Sequence, residues 1–250
     1  QTTVPNEDAQ SLVFDDALLF DIDKFSGYDR IETGVRANYG LQYTMQLYEG
    51  GSVRAVIGQS QHLSGENPFT GDSGLETDDS DYVAGLYFAP TSALSIISQS
   101  RFDNTGFDLK RQDVSLRAAY GPAAIALTYG FERSSDQVGE FRQDQELISS
   151  GSLQVTDNWA VLASLRYDLE EDFMISDSLG LKYSDECFAL AVTYAETNIT
   201  DRDVDPDQSI MVKFELKSLG GTSFDVDGIL LPRPFKIVRL GPVYLFADDM

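Results

Sequence analysis

The chain has 250 residues, 42% of them hydrophobic, and carries 41 acidic against 18 basic residues for a formal net charge of −23. That length admits one large β domain or two smaller units, and no stretch approaches the roughly 18 consecutive apolar residues of a membrane helix. So acidic a chain excludes a nucleic-acid backbone as partner, because phosphate contacts rely on Lys and Arg, while the acidity fits a solvated surface or a cation-rich medium.

Residues 1–29 show no alternation, and Gln1 to Gln10 has neither a basic nor an apolar leader, so no signal peptide is expected there. The chain reads as a mature product or a fragment of something longer. The first element runs from Arg30 to Tyr48. From Ile31 its odd positions are Ile31, Thr33, Val35, Ala37, Tyr39, Leu41, Tyr43, Met45 and Leu47, and its even positions are Glu32, Gly34, Arg36, Asn38, Gly40, Gln42, Thr44 and Gln46. Such alternation gives a strand one apolar and one polar face. Strands of soluble domains usually run about 5–6 residues, and this one is far longer.

Further alternating segments follow at Ser52 to Ser60, Asp81 to Ala89, Ala93 to Phe102, Phe107 to Tyr120 and Ala123 to Phe131. Gln143 to Val155, Trp159 to Leu169, Met174 to Tyr183, Cys187 to Thr197 and Ser209 to Lys217 complete a set of about eleven. Most approach the roughly 9–11 residues of a tilted transmembrane strand. In Trp159 to Leu169 the odd positions are Trp159, Val161, Ala163, Leu165, Tyr167 and Leu169, with aromatic rings near both ends, where a lipid–water boundary would hold them. Long helical periodicity is absent.

The connections alternate in kind. Short turns lie at Glu49-Gly50-Gly51, Pro90-Thr91-Ser92, Gly121-Pro122, Thr156-Asp157-Asn158 and Ser184-Asp185-Glu186; longer polar links lie at Gln61 to Ser80, Asp103 to Gly106, Glu132 to Arg142, Glu170 to Phe173 and Asn198 to Gln208. Short turns on one rim and long loops on the other are the pattern of an outer-membrane barrel, with the short side in the periplasm. A soluble up-and-down barrel also alternates, but with shorter strands. The expected fold is all-β, an antiparallel transmembrane β-barrel. Barrels normally have an even number of strands, so an odd count predicts that this is the C-terminal portion of a larger barrel. The expected division is 1–29 as an outer loop dipping into or covering the lumen, 30–218 as barrel, and 219–250 as a tail of its own.

Gly27-Tyr28-Asp29-Arg30, followed by Glu32, Gly34, Arg36, Asn38 and Gly40-Leu41, resembles the signature of the lipopolysaccharide-assembly LptD family, also known as organic solvent tolerance proteins. Asp185-Glu186-Cys187-Phe188 and Phe214-Glu215-Leu216-Lys217-Ser218-Leu219-Gly220 add to the likeness, which covers roughly Pro5 to Phe224. The resemblance implies a very large barrel in the outer membrane of a Gram-negative bacterium, preceded by a periplasmic jellyroll. It implies lipopolysaccharide as cargo, an LptE-like lipoprotein plug, an LptA-like periplasmic bridge reached through the N-terminal domain, and outer-membrane lipids around the wall. No enzyme activity, cofactor or metal is expected.

Cys187 is the single cysteine. Residue patterning leaves it as a buried thiol or one with a partner elsewhere; the resemblance implies a long-range bridge to an N-terminal cysteine in the oxidising periplasm. Many members carry two adjacent cysteines here, whereas this chain has Glu186-Cys187-Phe188. The resemblance also implies that Ser209 to Lys217, with Ser209, Met211, Lys213, Glu215 and Lys217 on one face, meets the first barrel strand at a seam that opens sideways. Gly34 and Gly40 share the polar face with Arg36 and Asn38, leaving room for a plug or loop, and Asp29, Arg30, Glu32 and Arg36 are expected to form a charged network near the outer rim.

Other patterns carry less. His62 is the only histidine; Ser60 and Ser64 are near it, but no nucleophile elbow is present. Asp203, Asp205 and Asp207 look like a calcium loop, yet Gln208 and Phe214 stand where the loop needs Gly and Glu, and Pro206 intervenes. Asp78, Asp79 and Asp81 read as a solvated loop edge. In Gly228 to Met250, Pro232-Arg233-Pro234 and Leu240-Gly241-Pro242 break any long strand. Besides lipopolysaccharide export, a porin-type channel and a soluble carbohydrate-binding β domain remain open readings. A porin would be complete and even-stranded, and a soluble domain would need no detergent.

Overall fold

A computed structural model describes residues 13–25, 32–48, 50–69, 71–135, 141–199, 206–217 and 222–225, with the backbone alone at 135, 141–142 and 222–225. Its strands are β1 (Val35–Gln46), β2 (Ser52–Ser64), β3 (Tyr82–Thr91), β4 (Leu94–Phe102), β5 (Leu109–Tyr120) and β6 (Ala123–Ser135). They continue with β7 (Phe141–Gln154), β8 (Trp159–Asp168), β9 (Phe173–Ser184), β10 (Phe188–Thr197), β11 (Asp207–Leu216) and a short β12 (Thr222–Asp225). Hydrogen-bonded neighbours follow chain order through one 12-stranded sheet. The described registers are antiparallel. This is the all-β order expected for the C-terminal portion of a barrel. Among the described residues the order does not return from β12 to β1.

Strand boundaries differ from the alternation in both directions. The first strand begins at Val35, because Gly34 turns to φ +87° and a Cβ there would lie 2.6 Å from the Ser64 carbonyl oxygen. Gly65, at φ +99°, packs on Gly34 and closes the opposite side of the ladder; only glycine adopts such angles freely. Conversely, β2 runs on to Ser64 and β6 to Ser135, past residues whose polarity reads as loop. In β2 backbone pairing holds the extension: His62 faces Arg36 and Gln61 faces Ala37.

By its contacts the chain divides into two compact units. The first holds residues up to Ala119 with Ala126–Leu147 and Leu169–Glu171. Its sheet has two unlike faces. One exposes Tyr39, Leu41, Tyr43, Ile57 and Leu86, with Leu41 77% exposed. Register puts Asn38, Gly40, Gly58, Ser60, Val83, Gly85, Tyr87, Gln99 and Arg101 on the other. That face is covered by residues 13–25 and by the loop between β2 and β3, through a cluster of Phe14, Leu19, Phe69, Leu75 and Val83 with Leu18 and Phe25 against it. Each fully buried apolar side chain contributes about 1.5–3 kcal/mol, so the covering segment is docked.

The second unit holds Tyr120–Ile125, Ile148–Asp168 and the chain from Asp172. One face of its strands carries a ladder of rings, Trp159–Tyr183, Tyr183–Phe188 and Phe188–Phe214, with centroids 5.0, 5.4 and 5.6 Å apart. Leu179, Leu181 and Val192 are exposed on the same face. The other face is built of small groups, among them Ala160, Ser178, Gly180, Thr193, Ala195 and Ser209.

Candidate functional site

The covered face of the first unit holds the densest set of polar contacts, and glycines at successive registers make room for it. Gly40 faces Gly58, and Gly85 faces Val56 one strand further on. A Cβ on Gly40 would lie 3.2 Å from Leu19 Cδ2, one on Gly58 would collide with the same methyl, and one on Gly85 would collide with the Asp16 carboxylate. Only bare backbone lets the segment lie so close. Residues 13–25 therefore run along the face from the level of Arg54 and Tyr87, past Gly40 and Gly58, towards Arg36.

Asp16 is buried, and its carboxylate accepts from the Tyr87 hydroxyl at 2.9 Å and from Gln99 Nε2 at 2.9 Å. Asp15 also accepts from Gln99 Nε2, at 3.2 Å, while its other oxygen caps the amides of Ala17 and Leu18. The Arg54 guanidinium lies 3.9 Å from the centre of the Tyr87 ring. A cation so placed is held by the face of the ring whose hydroxyl Asp16 accepts from.

At the opposite end of the segment, Glu32 lies between Lys24 Nζ at 3.5 Å and Arg36 Nε at 2.9 Å. Arg36 Nη2 donates to Asn67 Oδ1 at 3.2 Å, and its guanidinium stands 5.2 Å from the centre of Phe69, which stacks on Phe25 at 4.8 Å. Of the network expected from Asp29, Arg30, Glu32 and Arg36, Glu32 and Arg36 pair among the described residues, and Lys24 joins them. Gly27, Tyr28, Asp29 and Arg30 lie outside the described residues. Asn38 accepts from the Ser60 hydroxyl at 2.6 Å. Of the signature glycines, Gly40 meets Leu19, whereas Gly34 meets the Ser64 carbonyl and His62.

The loop between β2 and β3 is fastened by Arg101, whose Nε stands 3.5 Å from Asp81 Oδ2 and whose Nη1 donates to the Asp72 carbonyl at 3.0 Å. Burial pushes the Asp81 carboxyl up to about 6, against the pull of Arg101. Asp78, Asp79 and Asp81 do not converge: Asp78 stands beside His62 Nδ1 at 3.6 Å, Asp79 accepts from Gln61, and Asp81 faces Arg101. Ser60 gives its proton to Asn38 rather than to His62. Asp203 and Asp205 lie outside the described residues.

In the second unit Cys187 is exposed just after the β9–β10 turn. Asp185 Oδ1 accepts from the Cys187 and Phe188 amides at 2.8 and 2.9 Å, and these bonds hold its carboxyl below the usual range. Ser209, Met211, Lys213 and Glu215 face Ala195, Thr193, Ala191 and Ala189 of β10, and Lys217 Nζ donates to the Ser184 hydroxyl at 2.8 Å. The far edge of β11 pairs with β12 at Lys213–Leu216. The tail beyond Asp225 lies outside the described residues.

Asp15, Asp16, Leu19, Lys24, Arg54, Tyr87 and Gln99 have no signature in alternation, because most of the contact is made by a segment without period. The three glycines at Gly40, Gly58 and Gly85, one per strand on one face, are the trace they leave in the sequence.

The model of the family LptD, LPS transport system D, matches residues 1–159. An LPS-assembly protein LptD from Nitrosococcus oceani is 25% identical over 235 residues, covering 92% of this chain and 30% of that protein. One from Acinetobacter baumannii is 23% identical over 239 residues, covering 92% and 29%. One from Psychrobacter arcticus is 26% identical over 258 residues, covering 97% and 27%. The chain thus spans under a third of the length of these relatives.

Proposed function

Since the chain belongs to the LptD family, we propose that it forms part of the wall of an outer-membrane lipopolysaccharide translocon in a Gram-negative bacterium. The observation that carries this reading is the two-faced sheet: an exposed apolar face and a face of polar and small groups, on strands of 9 to 14 residues through β11. The apolar face suits acyl chains and the other a hydrated lumen. Sugars pass along the lumen while the acyl chains leave through a seam beside β11. Unpaired strand edges cost several kcal/mol in hydrocarbon, so a partly paired edge opens at less cost than a full ladder. Ser209 to Lys217 is the stretch proposed for that seam, and the short β12 pairs with it at Lys213–Leu216. An LptE-like plug and an LptA-like bridge complete the machine, and Cys187, held out by the Asp185 turn, ties wall to N-terminal domain.

A photo-crosslinking amino acid at Thr44, on the polar face of β1, tests this in the full-length protein. Lipopolysaccharide adducts are expected there. A disulfide locking the β11 edge to the first barrel strand should preserve those adducts while surface delivery stops. No adduct at Thr44, or unimpaired delivery through a locked seam, overturns the reading.

A further inference from the structure

Asp16 is buried on a face where no cation forms an ion pair with it among the described contacts. Burying a carboxylate is costly unless donors are aimed at it, and here they are. The Tyr87 hydroxyl and Gln99 Nε2 reach the same group from adjacent strands, Arg54 from a third stands over the Tyr87 ring, and Gly85 leaves the space that the carboxylate fills. A merely structural contact at this register would be met by a neutral side chain at lower cost. Donors from separate strands, a nearby guanidinium and a floor without a side chain are the parts of an anion receptor.

We propose that Arg54, Tyr87 and Gln99, over Gly85, form an oxyanion site that the chain's own Asp16 occupies, so that residues 13–25 are a strap closed by a stand-in for an anionic ligand. The ligand class is a phosphate ester or free phosphate. Two clasps oppose its entry: the buried Phe14 and Leu19, and the Lys24–Glu32–Arg36 cluster at the other end. An anion that replaces the Asp16 carboxylate leaves the donors satisfied and frees the strap from that end. The site does not depend on the export reading, whereas a lipopolysaccharide headgroup as the source of the phosphate does.

Ala17 is exposed on the strap beside Asp16, so a nitroxide at Ala17→Cys reports release without entering the buried cluster. In the full-length protein in detergent, the label should be immobile. A tethered carboxylate competes at an effective concentration of about millimolar, so inorganic phosphate in that range, with chloride removed to hold ionic strength, should raise the mobile fraction several-fold and saturably. Tyr87→Phe with Gln99→Leu should raise basal mobility and abolish the response. If those variants fail to fold, hydrogen exchange of the Ala17 and Leu18 amides, which Asp15 caps in the unchanged protein, gives the second readout, slow alone and faster with phosphate. Phosphorylated lipopolysaccharide acting well below the inorganic concentration identifies the headgroup as source, and equal potency per phosphate identifies the free ion. A response to inorganic phosphate but not to lipopolysaccharide keeps the site and counts against the export reading alone. No response to either, or a response that survives the Tyr87 and Gln99 substitutions, overturns the proposal.

Discussion

At Asp81, burial and the nearby cations act in opposite directions, and burial prevails. Arg101 lies 3.5 Å away on β4 and Lys110 also attracts the carboxylate, while Glu76 and Asp103 repel it. The folded carboxyl, at about 6, lies above its unfolded value near about 4. The folded state therefore binds the proton more tightly, and docking of the β2–β3 loop strengthens as pH falls through about 6 toward about 4. It should be level above that window. Hydrogen exchange of residues 71–81 between pH 4 and pH 8 measures this, and Asp81→Asn should remove the slope; a loop that loosens on acidification contradicts the assignment. None of this was legible from Asp78, Asp79 and Asp81 as a run of acids. Sequence places them together, whereas the fold sends each to a different partner. Asp16 and Leu19 were hidden for a related reason. Their segment has no period, and the glycines that receive them are spread over three strands.

Among the elements, β1 and β2 show where alternation is informative and where it stops. Side chains alternate in polarity only where the two faces of a strand meet different media. Leu41, Tyr43 and Met45 obey that rule, and so do Leu179 and Leu181 of β9. At Gln61 to Ser64 only Leu63 is apolar, too little to show a period, so the sequence reads as loop although the ladder continues. The error at the start of β1 has the opposite sign. Thr33 and Glu32 keep the alternation going, but Gly34 at φ +87° has already left the strand. Gly34 is therefore the stop of the β1–β2 hairpin ladder. Gly34→Ala is expected to cost at least about 1–2 kcal/mol for the left-handed backbone, with further loss from the Ser64 collision. Thermal unfolding should show the loss, whereas Gly71→Ala, which meets open space, should leave stability nearly unchanged; equal effects at the two glycines would contradict this role.

On the scale of the whole chain, eleven of the twelve strands, with their order and turn placement, were legible because repetition along the chain compensates for weak signals in each segment. The family likeness was legible from spaced signature residues, although the most diagnostic four, Gly27 to Arg30, lie outside the described residues. Strand β12 was not legible, since Thr222–Asp225 is too short to show a period. Adjacent residues of β9 test most directly whether the sheet separates lipid from water. Nitroxides placed singly at Leu179, Gly180, Leu181 and Lys182 of the full-length protein in lipid vesicles report access to oxygen and to a water-soluble nickel complex. Leu179 and Leu181 should favour oxygen, and Gly180 and Lys182 nickel. Four nickel-accessible positions, or the opposite phase, would contradict a membrane wall with this face toward lipid.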